Sequence, residues 1–187
     1  MLEVGGGEGE LAERIVRELG AELVGIDQSE RMVEIQRSKG LDARLGDVQQ
    51  LPFADGEFDV AVAAWMLYHV PDLERGLSEL ARVLEPGGRL VAVVTAHDHL
   101  KELWDHTGRD LAERGLRITR ENGAEILDRH FARVERRDVD GSVTFDDDAA
   151  RRYFGSSPLF GPLERIPPLT APLRVRTGVG VLVATKA

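Results

Sequence analysis

The chain has 187 residues, 42% hydrophobic and 30% charged, which suits one soluble domain with a sizeable core. It has no cysteine, which excludes disulfides, iron–sulfur clusters, thiolate zinc sites and any thiol nucleophile. With 24 basic against 33 acidic residues the net charge is −9, a field that repels phosphate backbones and argues against a nucleic-acid partner. The densest basic stretches, Arg133, Arg136 and Arg137, then Arg151 and Arg152, are interleaved with acids. No apolar run approaches the roughly 20 residues needed to cross a bilayer, and no basic, apolar-cored leader stands at the front. The expectation is a cytoplasmic protein.

Strand and helix patterns alternate from the first residue, which predicts a parallel sheet covered by helices. Leu2 to Val4 reads as a short buried strand. After a run of glycines, Leu11, Ile15, Val16 and Leu19 keep helical spacing, and Gly20 stands where a C-cap belongs. Leu23 to Ile26 is a second strand. Ser29 is placed to cap the next helix, with Met32, Val33 and Ile35 on its buried side. Leu41 to Leu45 is a third strand. A turn at Asp55-Gly56 precedes the apolar run Phe58 to Ala64, too continuous for a half-solvated strand. Pro71 and Asp72 start a helix with Leu73, Leu77, Leu80 and Leu84 on one face. Pro86-Gly87-Gly88 is expected to end it, and Leu90 to Thr95 makes a fifth strand.

The second half is less regular. Leu100, Leu103, Trp104, Thr107 and Leu111 suggest one amphipathic helix, and Ala124 to Arg129 another. Phe131 to Val139 and Val143 to Phe145 read as two strands. Asp146 to Asp148 followed by Arg151 and Arg152 suit a helix whose charges complement its dipole. Five of the eight prolines lie between Pro158 and Pro172, which predicts a loop-rich insertion. Val179 to Ala184 is the last strand. No linker is evident, so one domain is expected over 1–187, with 1–95 as a cofactor-binding half and 96–187 as an acceptor and lid half.

The strongest motif is Glu3-Val4-Gly5-Gly6-Gly7-Glu8-Gly9, set between a strand and a helix. Its glycines let the chain turn sharply and bring backbone against a ligand, with a helix N-terminus just behind. A glycine-rich loop alone is weak, since NAD-binding and P-loop proteins use related devices. There is no Gly-Lys-Ser/Thr, so the P-loop reading fails. Glu3 stands inside the first strand, where a carboxylate can meet a cationic amine. Asp27, about 20 residues beyond the loop, can accept both hydroxyls of a ribose; it can equally cap the following helix. In Gly46-Asp47-Val48, Asp47 can accept from an adenine amino group while Val48 packs on the ring. Leu51-Pro52-Phe53, Phe58-Asp59-Val60 and Arg82-Val83-Leu84-Glu85-Pro86-Gly87-Gly88 follow.

This ordered set resembles the Rossmann-like (class I) S-adenosylmethionine-dependent methyltransferases, especially the branch that includes ubiquinone and menaquinone biosynthesis enzymes. The close similarity runs from Leu2 to about Thr95. The resemblance implies an α/β fold with a mostly parallel seven-stranded sheet, its last strand antiparallel and helices on both faces. It implies S-adenosyl-L-methionine as cofactor and S-adenosyl-L-homocysteine as product. It places Glu3, Gly5, Gly6 and Gly7 at the methionine portion, Asp27 and Gln28 at ribose and adenine, Asp47 and Val48 around adenine, and Ala64 at the methionine moiety. In that family a segment before the first strand usually folds over the cofactor. Here the glycine loop begins at residue 5, so a cleft open on one side is expected.

Methyl transfer to carbon, nitrogen or oxygen is a direct displacement, so alignment can supply roughly 7–11 kcal/mol of the barrier. His69, in the loop after the fourth strand, is the candidate general base; an imidazole titrates near about pH 6.5. Its alternative role is to shape the pocket. His97, Asp98 and His99 with His106 resemble a metal cluster but have no spacing that makes them converge, so no metal is expected. Trp65, Tyr68, Trp104, Tyr153, Phe154, Leu159 and Phe160 are available to line an apolar pocket, as ordinary core or as a site. The region around Trp104 and from Tyr153 to Thr170 is expected to choose the acceptor. An Asn/Asp-Pro-Pro-Tyr signature is absent after the fourth strand, which argues against amino-group methylation of DNA. The expected substrate is a small, partly apolar acceptor. A cofactor-binding protein without catalysis, an RNA or protein methyltransferase, and more remotely an NAD-dependent oxidoreductase are the alternatives.

Overall fold

The computed structural model describes residues 1–155 and 162–187. Seven strands alternate with helices: β1 (Leu2–Val4), α1 (Glu10–Leu19), β2 (Val24–Asp27), α2 (Glu30–Ser38), β3 (Asp42–Leu45), β4 (Phe58–Ala64), α3 (Leu73–Val83), β5 (Leu84–Thr95), α4 (Lys101–His106), α5 (Gly123–Leu127), β6 (Arg133–Phe145), α6 (Asp147–Gly155) and β7 (Leu173–Thr185). They form one sheet in the order β3-β2-β1-β4-β5-β7-β6. The first five strands are mutually parallel, and β7 runs antiparallel to both β5 and β6. The expected seven-stranded Rossmann-like sheet is therefore present. Strand order reverses between β1 and β4, and that switch point opens a crevice at the carboxyl ends of the strands.

Local chemistry explains the element boundaries in the first half. The Ser29 hydroxyl accepts from the Met32 N–H, and the Asp72 carboxylate accepts from the Arg75 N–H, so both helices start at side-chain caps. Gly20, at φ 63°, donates its N–H to Val16 O and ends α1. β1, β4 and β5 are buried from both sides, and their apolar side chains join Leu73, Leu77 and Leu80 of α3 in the main core. A second cluster gathers Leu103 and Trp104 of α4, Ala150 and Phe154 of α6, Ile166 and Val175.

Several expected boundaries differ. The helix α3 stops at Val83, and Leu84, expected on its apolar face, instead starts β5 opposite Phe58. The Pro86-Gly87-Gly88 turn is absorbed inside the strand by a register shift between Phe58 and Val60. The C-terminal segment holds it there. Gly87 N–H donates to Lys186 O, Lys186 N–H to Gly88 O, and Lys186 Nζ to Leu84 O at 2.6 Å. The single helix expected through Leu111 ends at His106, and Leu111–Arg114 forms a separate short helical turn beyond Gly108, at φ 72°. The two strands expected over 131–145 are one, paired residue for residue from Arg133–Thr185 to Phe145–Leu173, and the last strand begins at Leu173 rather than Val179. Pairing with a long neighbour carries both strands through Gly141 and Gly178, where local propensity is poor. On α2 the fully buried residues are Val33 and Gln36, not Ile35. On α1 only Ala12 is buried, and Leu19 is 72% exposed.

Candidate functional site

Glu3 occupies the middle of β1, between Gly25 of β2 and Val62 of β4. Its side chain is 1% exposed, and Oε2 has no hydrogen-bond partner among the described residues. Burial, and then the nearby Asp27 carboxylate, raise its pKa from 4.5 to about 7. A buried carboxylate oxygen without a donor is costly unless a ligand supplies one. The glycine loop fits around it. A Cβ on Gly6 would overlap the Glu3 carboxylate, so any side chain there would have to displace it. Gly5 has φ 65° and donates to Ile26 O at 2.7 Å, and a Cβ on it would lie 2.8 Å from Met66 Cβ.

Two adjoining clefts lie at the switch point. One, of about 460 Å³, is lined by Gly5, Asp27, Gln28, Asp47, Val48 and His69, with Ile26, Met66, Val70 and Pro71 among its other walls. The other, of about 380 Å³, is lined by Glu3, Gly5, Gly6, Glu8, Leu11 and Ala64 with Trp65. Gly5 and Trp65 border both. Trp65 has φ 54°, uncommon for a bulky residue, and its side chain is 48% exposed over the strand ends. Its N–H donates to Val93 O of β5, which fixes the backbone as it leaves β4.

Asp27 ends β2 with its carboxylate already engaged. Oδ2 accepts from Gly7 N–H at 3.2 Å and Oδ1 from Ser29 N–H at 2.9 Å. A carboxylate has about four acceptor sites, so both oxygens keep capacity for a ribose hydroxyl. Asp47 is exposed, and both its oxygens receive the Gln49 side-chain amide. Gly7, placed by sequence at the ligand, lines neither cleft; it joins the loop to Asp27 and α2.

Gln36 is the residue that sequence reading missed. From the buried face of α2 its Nε2 donates to Gly7 O at 2.8 Å, and its side chain fills the space that a Cβ on Gly9 or Gly25 would need. Its one sequence signal is a polar residue on the same helical face as Val33. Gln36→Leu keeps the volume but orphans the Gly7 carbonyl, so unfolding by urea should show a loss of about 1–3 kcal/mol. An unchanged midpoint would show that this brace carries no load.

The histidines after β5 take separate positions. His99 Nδ1 lies 3.0 Å from Gly178 O, with burial lowering its pKa, while His106 Nε2 lies 2.8 Å from Pro167 O. Of the aromatics available for a pocket or for the core, Trp104 and Phe154 are buried in the second cluster and Tyr68 packs partly on the main core. Leu159 and Phe160 lie outside the described residues. The arginines of the basic stretches pair locally: Arg133 with Glu135, Arg136 with Asp138 and Arg151 with Asp147. Among the described residues no helix is long and apolar enough to cross a membrane.

The fold is that of the class I, Rossmann-like methyltransferases. Over its whole length the chain superposes on a putative methyltransferase from Bacillus halodurans with a TM-score of 0.71 at 19% identity, covering 99% of this chain and 91% of that one. Residues 2–92 match the family model described as Methyltransferase domain. The methyltransferase GfsG of Streptomyces halstedii is 33% identical over 149 residues, 75% of this chain and 52% of that protein. A demethylmenaquinone methyltransferase of Thermus thermophilus is 42% identical over 100 residues, 50% of this chain and 46% of that protein. The chain thus spans about half the length of the curated relatives it matches.

Proposed function

We propose that the chain transfers a methyl group from S-adenosyl-L-methionine to a small, partly apolar acceptor, working as one domain with the cofactor in its first half. The observation that carries this reading is the buried, donor-less Glu3 carboxylate beneath a glycine cradle, continuous through Gly5 with the cleft of Asp27, Asp47 and Val48. A cationic amine at Glu3 would satisfy that carboxylate. Asp27 and Gln28 would hold the ribose, and Asp47 and Val48 the adenine. A pyrophosphate, by contrast, gains nothing from a buried acid, which disfavours a dinucleotide. Bound there, S-adenosylmethionine would supply a sulfonium methyl to the acceptor nucleophile, with S-adenosylhomocysteine as the leaving group. The protein's own share would be alignment and exclusion of water, and His69, which lines the cleft, would take a proton from an acceptor that must lose one.

The demethylmenaquinone named for the Thermus relative is one acceptor compatible with this reading, and Trp65, which borders both clefts, favours an aromatic acceptor. Calorimetry is expected to show S-adenosylhomocysteine binding, with NAD and ATP much weaker. Asp27→Ala should weaken that binding by roughly 1.5–3 kcal/mol, the range for hydrogen bonds to charged groups. Tight NAD binding without any for the adenosyl ligand would overturn the assignment.

A further inference from the structure

Arg114 ends the helical turn Leu111–Arg114 with its guanidinium turned inward. Nη1 donates to His99 O at 3.0 Å and approaches His97 O at 3.5 Å, both on the segment leaving β5. The Cζ atom stands 5.7 Å from the centroid of the Trp104 ring. These contacts fix the group but leave its charge unanswered. Among the described residues no carboxylate forms an ion pair with Arg114, and Nε and Nη2 have no acceptor, whereas Arg120, Arg129, Arg151 and Arg176 each meet an acid. In a chain with a net charge of −9, a half-buried cation without an acid is a distinctive placement.

Arg114 interacts through its charge with two tyrosines. Tyr68 comes from the turn after β4 and Tyr153 from α6, and both are within its electrostatic reach, as is His99. Burial raises the pKa of both tyrosines, the Arg114 charge opposes that rise, and burial draws Arg114 below the usual guanidinium range. The Tyr68 ring packs against the His69 ring at 4.5 Å, and His69 lines the larger cleft. The cluster therefore adjoins the proposed methyl-transfer site through consecutive residues of one turn.

We propose that Arg114 anchors an aromatic acceptor through its carboxylate, with Tyr68 and Tyr153 flanking the anion and His69 at the end nearer the cofactor. This rests on the methyltransferase reading above and narrows its acceptor to an aromatic acid. Nε and Nη2 offer the planar fork that a carboxylate matches, and the Trp104 ring beside the guanidinium covers it in part from water.

Benzoate and benzamide share a shape and differ in charge at neutral pH, so they probe the anchor directly. Each is titrated into the full chain with saturating S-adenosylhomocysteine. Benzoate should bind roughly tenfold or more tightly than benzamide. Arg114→Gln should erase that preference while leaving S-adenosylhomocysteine affinity and the circular dichroism spectrum unchanged, and Arg114→Lys, which keeps the charge, should preserve a preference for benzoate. Equal binding of the two probes, no benzoate binding, or a preference that survives Arg114→Gln overturns the proposal. Absence of S-adenosylhomocysteine binding to the unaltered chain would instead overturn the cofactor assignment; the two probes are then compared without it under the same criteria.

Discussion

Glu3→Gln is expected to stabilise the ligand-free protein at pH 8 and to remove the pH dependence of S-adenosylhomocysteine binding. Burial and the Asp27 charge hold the Glu3 carboxyl at about 7, against 4.5 for an ordinary glutamate. Between those values the folded state keeps a proton that the unfolded chain has released. Stability therefore falls as pH rises from 4.5 and levels off above 7, by roughly 3 kcal/mol in all. Glutamine carries no such cost, so the variant's melting temperature should exceed that of the parent at pH 8 and approach it at pH 4. The ligand reverses the sign. A cationic amine against the carboxylate favours its charged form, so binding should release a proton near pH 6 to 7 and affinity should rise with pH through that window. In Glu3→Gln both effects vanish, and at pH 8 binding should weaken roughly ten- to a hundredfold. Calorimetry in two buffers of different ionisation enthalpy reads the proton count. No proton release by the parent, with unchanged affinity in the variant, would remove Glu3 from the site.

His69→Ala is the second large effect. His69 stands on the wall of the larger cleft, past the Trp65 turn, and contributes no hydrogen bond from its ring to the fold among the described residues. The substitution should leave S-adenosylhomocysteine affinity within about twofold. As a general base His69 should be worth roughly 10²–10⁴ in kcat, with the loss shrinking at high pH where the acceptor ionises unaided. If His69 only shapes the pocket, KM rises and most of kcat and its pH profile survive. Loss of cofactor binding would contradict both roles.

How much of this was legible beforehand differs by half. Through α3 the residues announce their own conformation. Glycines stand where φ is positive, Ser29 and Asp72 stand at helix starts, and apolar runs have strand length. Apart from Glu3, inside β1, the candidate site residues up to Val48 lie at or just past the carboxyl ends of β1, β2 and β3, so reading the strands also located the cleft. From Leu84 onward the decisive contacts come from far along the chain. Lys186 holds the start of β5 across 102 residues, and β7 sets the length of β6. A local pattern cannot report a partner that distant, which is why a turn was expected where the strand continues.

The sequence by itself determined the class of fold and which acids and glycines gather at the switch point, because each of these depends on short-range steric and capping rules. Only the tertiary structure decided what state those groups are in. Glu3 is an ordinary acid in sequence and a donor-less, partly neutralised one in the fold, because β2, β4 and Gly6 close over it and exclude water. Gln36 reads as a polar residue on a helix and becomes the brace of the loop, because parallel pairing of β1 and β2 brings Gly7, Gly9 and Gly25 onto its side chain. Arg114 is one of many arginines in the sequence, and packing against Trp104, with no ion pair among the described residues, is what sets it apart. Burial and long-range proximity change the energy of a charge by several kcal/mol, and neither is written in the neighbours of a residue along the chain.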